Sequence, residues 1–330
     1  MGVNVLVFIH GIVPESTPMD HVGIYREFWE AMVLARPGIQ SRVDRQIHVT
    51  WGCEEVTQPP PLRNDQLLTK VQQELVNRSS YDNVKKHPGP GNEVMGGLNR
   101  DGALPWWSVT RLISGKLREN LIIPGIGDVI YYTSAGGEEI VRAEVYKQVL
   151  GGLGGLSRDE VRLHLVGHSL GVTISHDFLY GLFAPGDLRP GFVSENEADP
   201  EVQNQYFNAR QEVQSGAGLS LGSLTSMASQ LPLFVMRVPK LVEAFYRDPG
   251  YGIDPADIGI APGPEDQAKW QLFYDIDDPL AFCTRNLYQP NRAIREVQVD
   301  CGDSILTTHS NYWSNRTVIA ETAALIEANC

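Results

Sequence analysis

The chain has 330 residues, of which 42% are hydrophobic and 20% charged, and a formal net charge of −13. That balance supports a large buried core and argues against disorder, while the negative charge argues against nucleic acid and anionic membrane surfaces as partners. Cys53, Cys283, Cys301 and Cys330 are widely spaced with no C-x-x-C pair, which suggests neither a zinc site nor a dense disulfide framework; they read as reduced, although Cys283 and Cys301 could pair in an oxidising compartment.

The amino terminus enters a strand directly, with no basic or leader-like segment, and no apolar run approaches membrane-spanning length. The chain therefore reads as cytoplasmic and without a transmembrane segment. Val3 to Ile9 is nearly continuous apolar sequence rich in β-branched residues, the pattern of a central parallel strand buried on both faces. It runs into His10-Gly11-Ile12 and a loop with Pro14 and Pro18. Ligands of open α/β sheets bind beyond the carboxyl ends of the strands, so this loop is expected over the site, with the Ile12 amide a candidate oxyanion donor. His10 reads as a buried histidine that hydrogen-bonds the loop rather than a chemical group.

Tyr25 to Ala35 reads as a helix closed by Arg36-Pro37-Gly38, and Gln46 to Trp51 as a second strand. The stretch 52–105 is irregular and rich in proline and glycine towards its end. It is expected to be an insertion over or beside the site, followed by Trp106 and Trp107, which either line an acyl pocket or anchor the insertion to the core. Asp128 to Tyr132 is apolar and of uncertain type, and Glu138 to Leu150 is a helix leading towards the next strand.

Val161, Leu163, Leu165 and Val166 form a short, largely apolar run that reads as a buried parallel strand, and from Leu170 the period changes: Leu170, Ile174, Phe178 and Leu182 recur every fourth residue, with Leu179 and Phe183 beside them, as on an amphipathic helix. Between them lies Gly167-His168-Ser169-Leu170-Gly171. A strand that turns into a helix within so few residues strains its central residue, and glycines two positions either side remove colliding β-carbons. Ser169 is thereby presented at the sheet edge beside a helix start, with the Leu170 amide available to an oxyanion. A second pentapeptide of the same pattern, Gly218 to Gly222 around Ser220, follows a polar stretch and opens no helical period, so context selects Ser169.

The remaining chain alternates. The stretch 184–215 carries three prolines and a run of acidic residues and reads as a polar surface loop; Leu219 to Met227 is the next strand; a short helix follows from Leu231; and 247–265 is another proline-rich loop. Trp270 to Tyr274 and Arg295 to Val299 are strands, and Trp313 to Ala328 is the closing helix. Strands joined through helices imply one α/β domain spanning 1–330, built on a mostly parallel, doubly wound sheet of about six strands, with insertions at 52–105, 184–215 and 247–265.

A serine hydroxyl needs a base, and the base an orienting acid. On a fold with this strand-turn-helix elbow the chain order is serine, acid, histidine; only His176 and His309 follow Ser169, and His176 sits too near it on the same helix, which leaves His309. Tyr274-Asp275-Ile276-Asp277-Asp278-Pro279 offers three acids after a strand. Asp278 is the first choice, ahead of Asp275 and Asp277, and Asp303 is a weaker candidate on the histidine's own loop.

These residues resemble the α/β-hydrolase superfamily, and within it lipase- and esterase-like serine hydrolases. The resemblance rests on Phe8 to Gly11 (FIHG), Gly167 to Gly171 (GHSLG), Asp278-Pro279, and His309 to Trp313 (HSNYW). It implies Ser169 as nucleophile, Asp278 as acid, His309 as base and the amides of Ile12 and Leu170 as oxyanion hole. The implied activity is hydrolysis of a small-molecule ester or lipid, with no metal or cofactor. A thioesterase, phospholipase or acyltransferase would use the same residues, and a non-catalytic binding protein on the same fold is the alternative from another class. The chain departs from such sequences at Ala228-Ser229-Gln230-Leu231, where they commonly carry Gly-Ser-Pro-Leu.

Overall fold

The computed structural model describes residues 2–11, 20–51, 132–133, 135–156, 161–185, 200–235, 237–248, 250–261, 267–302 and 307–330. These belong to one compact unit; the expected insertion at 52–105 lies outside the described residues. Six strands, β1 (Val3–Ile9), β2 (Arg45–Val49), β3 (Val161–His168), β4 (Leu219–Met227), β5 (Trp270–Tyr274) and β6 (Ile294–Gln298), form one sheet in the order β2-β1-β3-β4-β5-β6. Every neighbouring pair is parallel. A parallel pair cannot be joined by a tight hairpin, so the connections are long, and all but the one from β5 to β6 carry α-helices.

Among the described residues there are seven α-helices: α1 (His21–Ala35), α2 (Ala135–Gly152), α3 (Leu170–Phe183), α4 (Pro200–Gln214), α5 (Leu231–Val235), α6 (Pro239–Arg247) and α7 (Arg316–Asn329), the last of them after β6. Helices α1 and α7 pack together, and α2, α3 and α4 pack together as a second group. The β1 residues Leu6 and Phe8 lie in a core cluster with Tyr25, Phe28 and Met32 of α1 and Val318 and Ile326 of α7. Val5, Val7 and Ile9 alternate with them and are equally buried. A strand covered on both faces has no polar side, which is why β1 reads as a nearly continuous apolar run, interrupted only by Asn4 near its start. The result is an open α/β architecture consistent with an α/β-hydrolase fold.

The stretch 184–215 departs from the expected polar loop. Its second half is α4, four turns long, with Val202, Tyr206 and Ala209 buried against α2 and α3. Tyr206 donates its hydroxyl to the Gly181 carbonyl (2.8 Å), and Arg210 donates to the Ala184 carbonyl (2.7 Å), so α4 supplies partners to the carboxyl end of α3. Polar residues that dominate the composition are the solvent face of this helix, and three apolar positions suffice to dock it. The 247–265 stretch contains a short 3-10 turn, Pro255–Ile258, and buries Ile253, Ile258 and Ile260 completely. The described cysteines, Cys283, Cys301 and Cys330, are free thiols.

Candidate active site

Strand β3 passes into α3 through Ser169, whose backbone sits at φ 54° and ψ −125°. A left-handed conformation at a non-glycine residue costs of the order of 1 kcal/mol or more and persists only where neighbours enforce it. The enforcement is visible. Ser169 donates its amide to the Met227 carbonyl at the end of β4 (2.8 Å), and a β-carbon on Gly171 would lie 2.3 Å from the Ile9 carbonyl oxygen and 2.5 Å from that of His10. A β-carbon on Gly167 would lie 2.9 Å from the Gly171 carbonyl oxygen and from Ser175 Oγ. The glycines are therefore demanded by how closely the turn approaches itself and β1. On the far side, Gly11 abuts the serine so closely that a β-carbon there would lie 2.4 Å from Ser169 Cβ.

The turn holds the Ser169 side chain, itself fully buried, against two other carboxyl-end loops. Ser169 Oγ is 2.8 Å from His309 Nε2, and His309 Nδ1 is 2.8 Å from Asp278 Oδ2 and 3.1 Å from Oδ1. With Nδ1–H donated to the carboxylate, Nε2 is left as the acceptor for the serine proton. Asp278 also accepts from the Leu280 amide (2.9 Å). Burial pushes the Asp278 carboxyl up, but the hydrogen bond and charge of His309 outweigh it and leave the group below its ordinary value, so it stays ionised around neutral pH. Three residues far apart in sequence thus form one hydrogen-bonded chain, hydroxyl to imidazole to carboxylate. Such a chain can draw a proton from the hydroxyl and hold the resulting imidazolium against a buried negative charge.

The competing acids are otherwise employed. Asp275 is buried, but its Oδ1 accepts from the Asp277 amide (2.9 Å) and its Oδ2 from the Cys301 amide, while its own amide donates to the Tyr312 hydroxyl (2.8 Å). It ties the β5 loop to the β6 loop. Asp277 is exposed, and Asp303 lies outside the described residues, as do Ile12, Trp106 and Trp107. Leu170 opens α3, so its amide has no partner within the helix and stands at the positively polarised end. His176 remains within α3, buried and stacked on Tyr180 with centroids 5.6 Å apart.

His10 has a structural setting. Its Nδ1 bonds the Gly11 carbonyl (2.7 Å), its Nε2 accepts from the Trp51 amide (3.2 Å), and its ring stacks between His21 and Trp51 at centroid distances of 3.8 and 5.2 Å. Burial first, then the neighbouring His21, holds it well below the ordinary histidine value.

Two contacts go beyond the sequence reading. His168 Nε2 lies 2.6 Å from the His309 carbonyl oxygen, and burial, followed by the charge of His309, lowers the His168 pKa to about 3, so the ring is a neutral donor that fastens the loop carrying His309. Gln230, just past β4, donates from Nε2 to Ser169 Oγ (3.2 Å). The signal for Gln230 was its place in the variant tetrapeptide after β4; its proximity to the serine is a tertiary fact that no local pattern carries.

Among the described residues, no group of three or more His, Cys, Asp or Glu side chains is arranged to hold a metal ion, and no helix is long and apolar enough to cross a membrane. The chain matches no protein-family model, and neither a curated protein nor a solved structure matches it significantly.

Proposed function

We propose that this protein is a serine hydrolase of the α/β-hydrolase type, lipase- or esterase-like, that cleaves neutral carboxylic esters through a covalent acyl-enzyme. The observation that carries the reading is the continuous hydrogen-bonded chain Ser169–His309–Asp278 at the carboxyl ends of parallel strands, with the serine on a strained strand-to-helix turn.

In this mechanism Ser169 Oγ attacks the ester carbonyl carbon while His309 Nε2 removes its proton. Asp278 stabilises the imidazolium. The carbonyl oxygen becomes an oxyanion held by the Leu170 amide and, from the sequence pattern, by the amide of Ile12; a donor of this kind contributes about 100- to 1,000-fold in rate. His309 then returns the proton to the leaving alkoxide oxygen. Water, deprotonated by the same imidazole, releases the acid and restores the hydroxyl. The residues needed for this sequence are all protein groups.

A fluorophosphonate probe tests the proposal. Stoichiometric labelling of Ser169, located by peptide mass spectrometry and lost in Ser169→Ala, is the expected result. Absence of labelling, or labelling elsewhere, overturns it.

A further inference from the structure

Gln230 presents a carboxamide to the nucleophile that the ester chemistry above does not use. The turn that carries it is tightly specified. Ala228 adopts φ 54° although it is not glycine, and its amide donates to the Phe273 carbonyl (3.0 Å). Ser229 Oγ accepts from Thr284 Oγ1 (2.8 Å) and from the Leu231 amide (3.3 Å). Gln230 itself is only 2% exposed. Its orientation follows from proton inventory. Ser169 has a single hydroxyl proton, committed to His309 Nε2 at 2.8 Å, so Oγ can only accept from Gln230, and the NH2 end must face it, at 3.2 Å. The carboxamide oxygen is left over: Oε1 is buried and has no hydrogen-bond partner among the described residues. Buried acceptors are normally satisfied, and one left open beside a nucleophile is a place where a ligand can supply the missing donor.

Resting on the proposed ester chemistry, we propose that Gln230 is a specificity-determining residue whose carboxamide oxygen takes a hydrogen-bond donor from the acyl part of the substrate. The covalent dimensions of an amide place Oε1 within about 2.3 Å of Nε2, and the carbonyl carbon under attack becomes bonded to Oγ. Of that carbon's other substituents, the oxyanion belongs to the Leu170 amide and the leaving oxygen to His309. The acyl chain is the one that remains for Gln230. The substrate class is therefore esters bearing an O–H or N–H close to the scissile carbonyl, such as hydroxyacyl esters, rather than plain alkanoates.

The test uses the full chain and a matched set of 4-nitrophenyl esters: butanoate, its 2-hydroxy and 3-hydroxy derivatives, and the corresponding methoxy derivatives, which keep the oxygen but lack the donor. Values of kcat/KM are normalised to the hydroxide-catalysed rate of each ester and measured for the parent protein and Gln230→Met. The expected result is a preference of tenfold or more for one hydroxy ester over both its methoxy partner and butanoate, falling to within twofold in Gln230→Met while fluorophosphonate labelling of Ser169 persists. Lack of preference in the parent protein overturns the inference whatever the variant does. A preference that survives in Gln230→Met, or a uniform loss across all esters in that variant, overturns it as well. Failure of the parent reading looks different: then no ester is hydrolysed and Ser169 is not labelled.

Discussion

The chain contains two pentapeptides of identical pattern, Gly167 to Gly171 and Gly218 to Gly222, and they fold into unlike structures. The first turns a strand into a helix with Ser169 at φ 54°. The second lies at the start of β4, where Gly218 has φ 82° and leads in, and Ser220 points to the strand's exposed side and donates to the Val161 carbonyl (3.4 Å). Gly222 sits at the register shift between β3 and β4, where Leu163 faces Leu221 but His164 faces Ser223; a β-carbon there would lie 2.5 Å from the His164 ring. One pair of glycines admits a backbone crossing and the other a bulge beside a histidine. What distinguishes them is the flanking sequence, an apolar strand before and a four-residue apolar period after.

That contrast can be broken first at the serines and their partners. Ser169→Ala is expected to lower ester turnover on the order of 100,000-fold while leaving the denaturation midpoint nearly unchanged. Steady-state kinetics alongside urea unfolding check this, and retained turnover removes the nucleophile. Asp278→Asn should cost about 10,000-fold in kcat, because an amide side chain favours the wrong tautomer of His309. Asp275→Asn should instead appear mainly as lost stability, since its two oxygens serve the amides of Asp277 and Cys301.

The glycines come next. Gly171→Ala forces a β-carbon onto the backbone oxygens of Ile9 and His10, which cannot retreat without moving β1, and should destabilise the fold by about 3 kcal/mol. Gly222→Ala meets only a side chain and should cost less; comparison of the two urea midpoints decides the order. Each peptide also leans on a buried histidine. Burial and the charge of Arg162 lower His164 to about 4, and burial and His309 lower His168 to about 3, both from an ordinary 6.5. For both, the unfolded chain takes up a proton before the folded one does, so their stability contribution is intact above pH 6.5 and declines as pH falls towards 4. The urea midpoint should fall over that window, and less steeply in His164→Asn; an unchanged slope counts against the assignment. The smallest effect is expected of Ser220→Ala, within about 0.5 kcal/mol in stability and less than twofold in turnover.

Much of the scaffold could be read from the chain because burial on both faces leaves a continuous apolar run. Strands Val3–Ile9, Leu219–Met227 and Trp270–Tyr274, and helix Leu170–Phe183, have the bounds their patterns suggested. Helix α4 escaped because its docking face is only Val202, Tyr206 and Ala209 amid polar residues, and the prolines and acidic run before it dominate the reading. The proximity of Ser169, His309 and Asp278 was legible by chain order and elimination among few histidines. Asp278 ranks ahead of Asp275 already from its Asp-Pro turn, and the hydrogen bonds add what the chain could not show, two backbone amides occupying Asp275. The partnership of His168 with the His309 carbonyl, and of Gln230 with Ser169, depends on loops from different strands meeting, which no one-dimensional period encodes.

The pairing of β1 with β3, Val3 opposite Val161, bears on how the molecule assembles. During synthesis the strand Val3 to Ile9 emerges well before one of its two neighbours, which is made only after a long excursion of chain. Until then one edge of a largely apolar ribbon waits unzipped, offering open amides and carbonyls to any similar segment nearby. Closing so distant a contact is slow compared with joining β5 to β6, so refolding from denaturant should run from the carboxyl-terminal half towards the amino-terminal strands. Yield on renaturation should then fall as protein concentration rises.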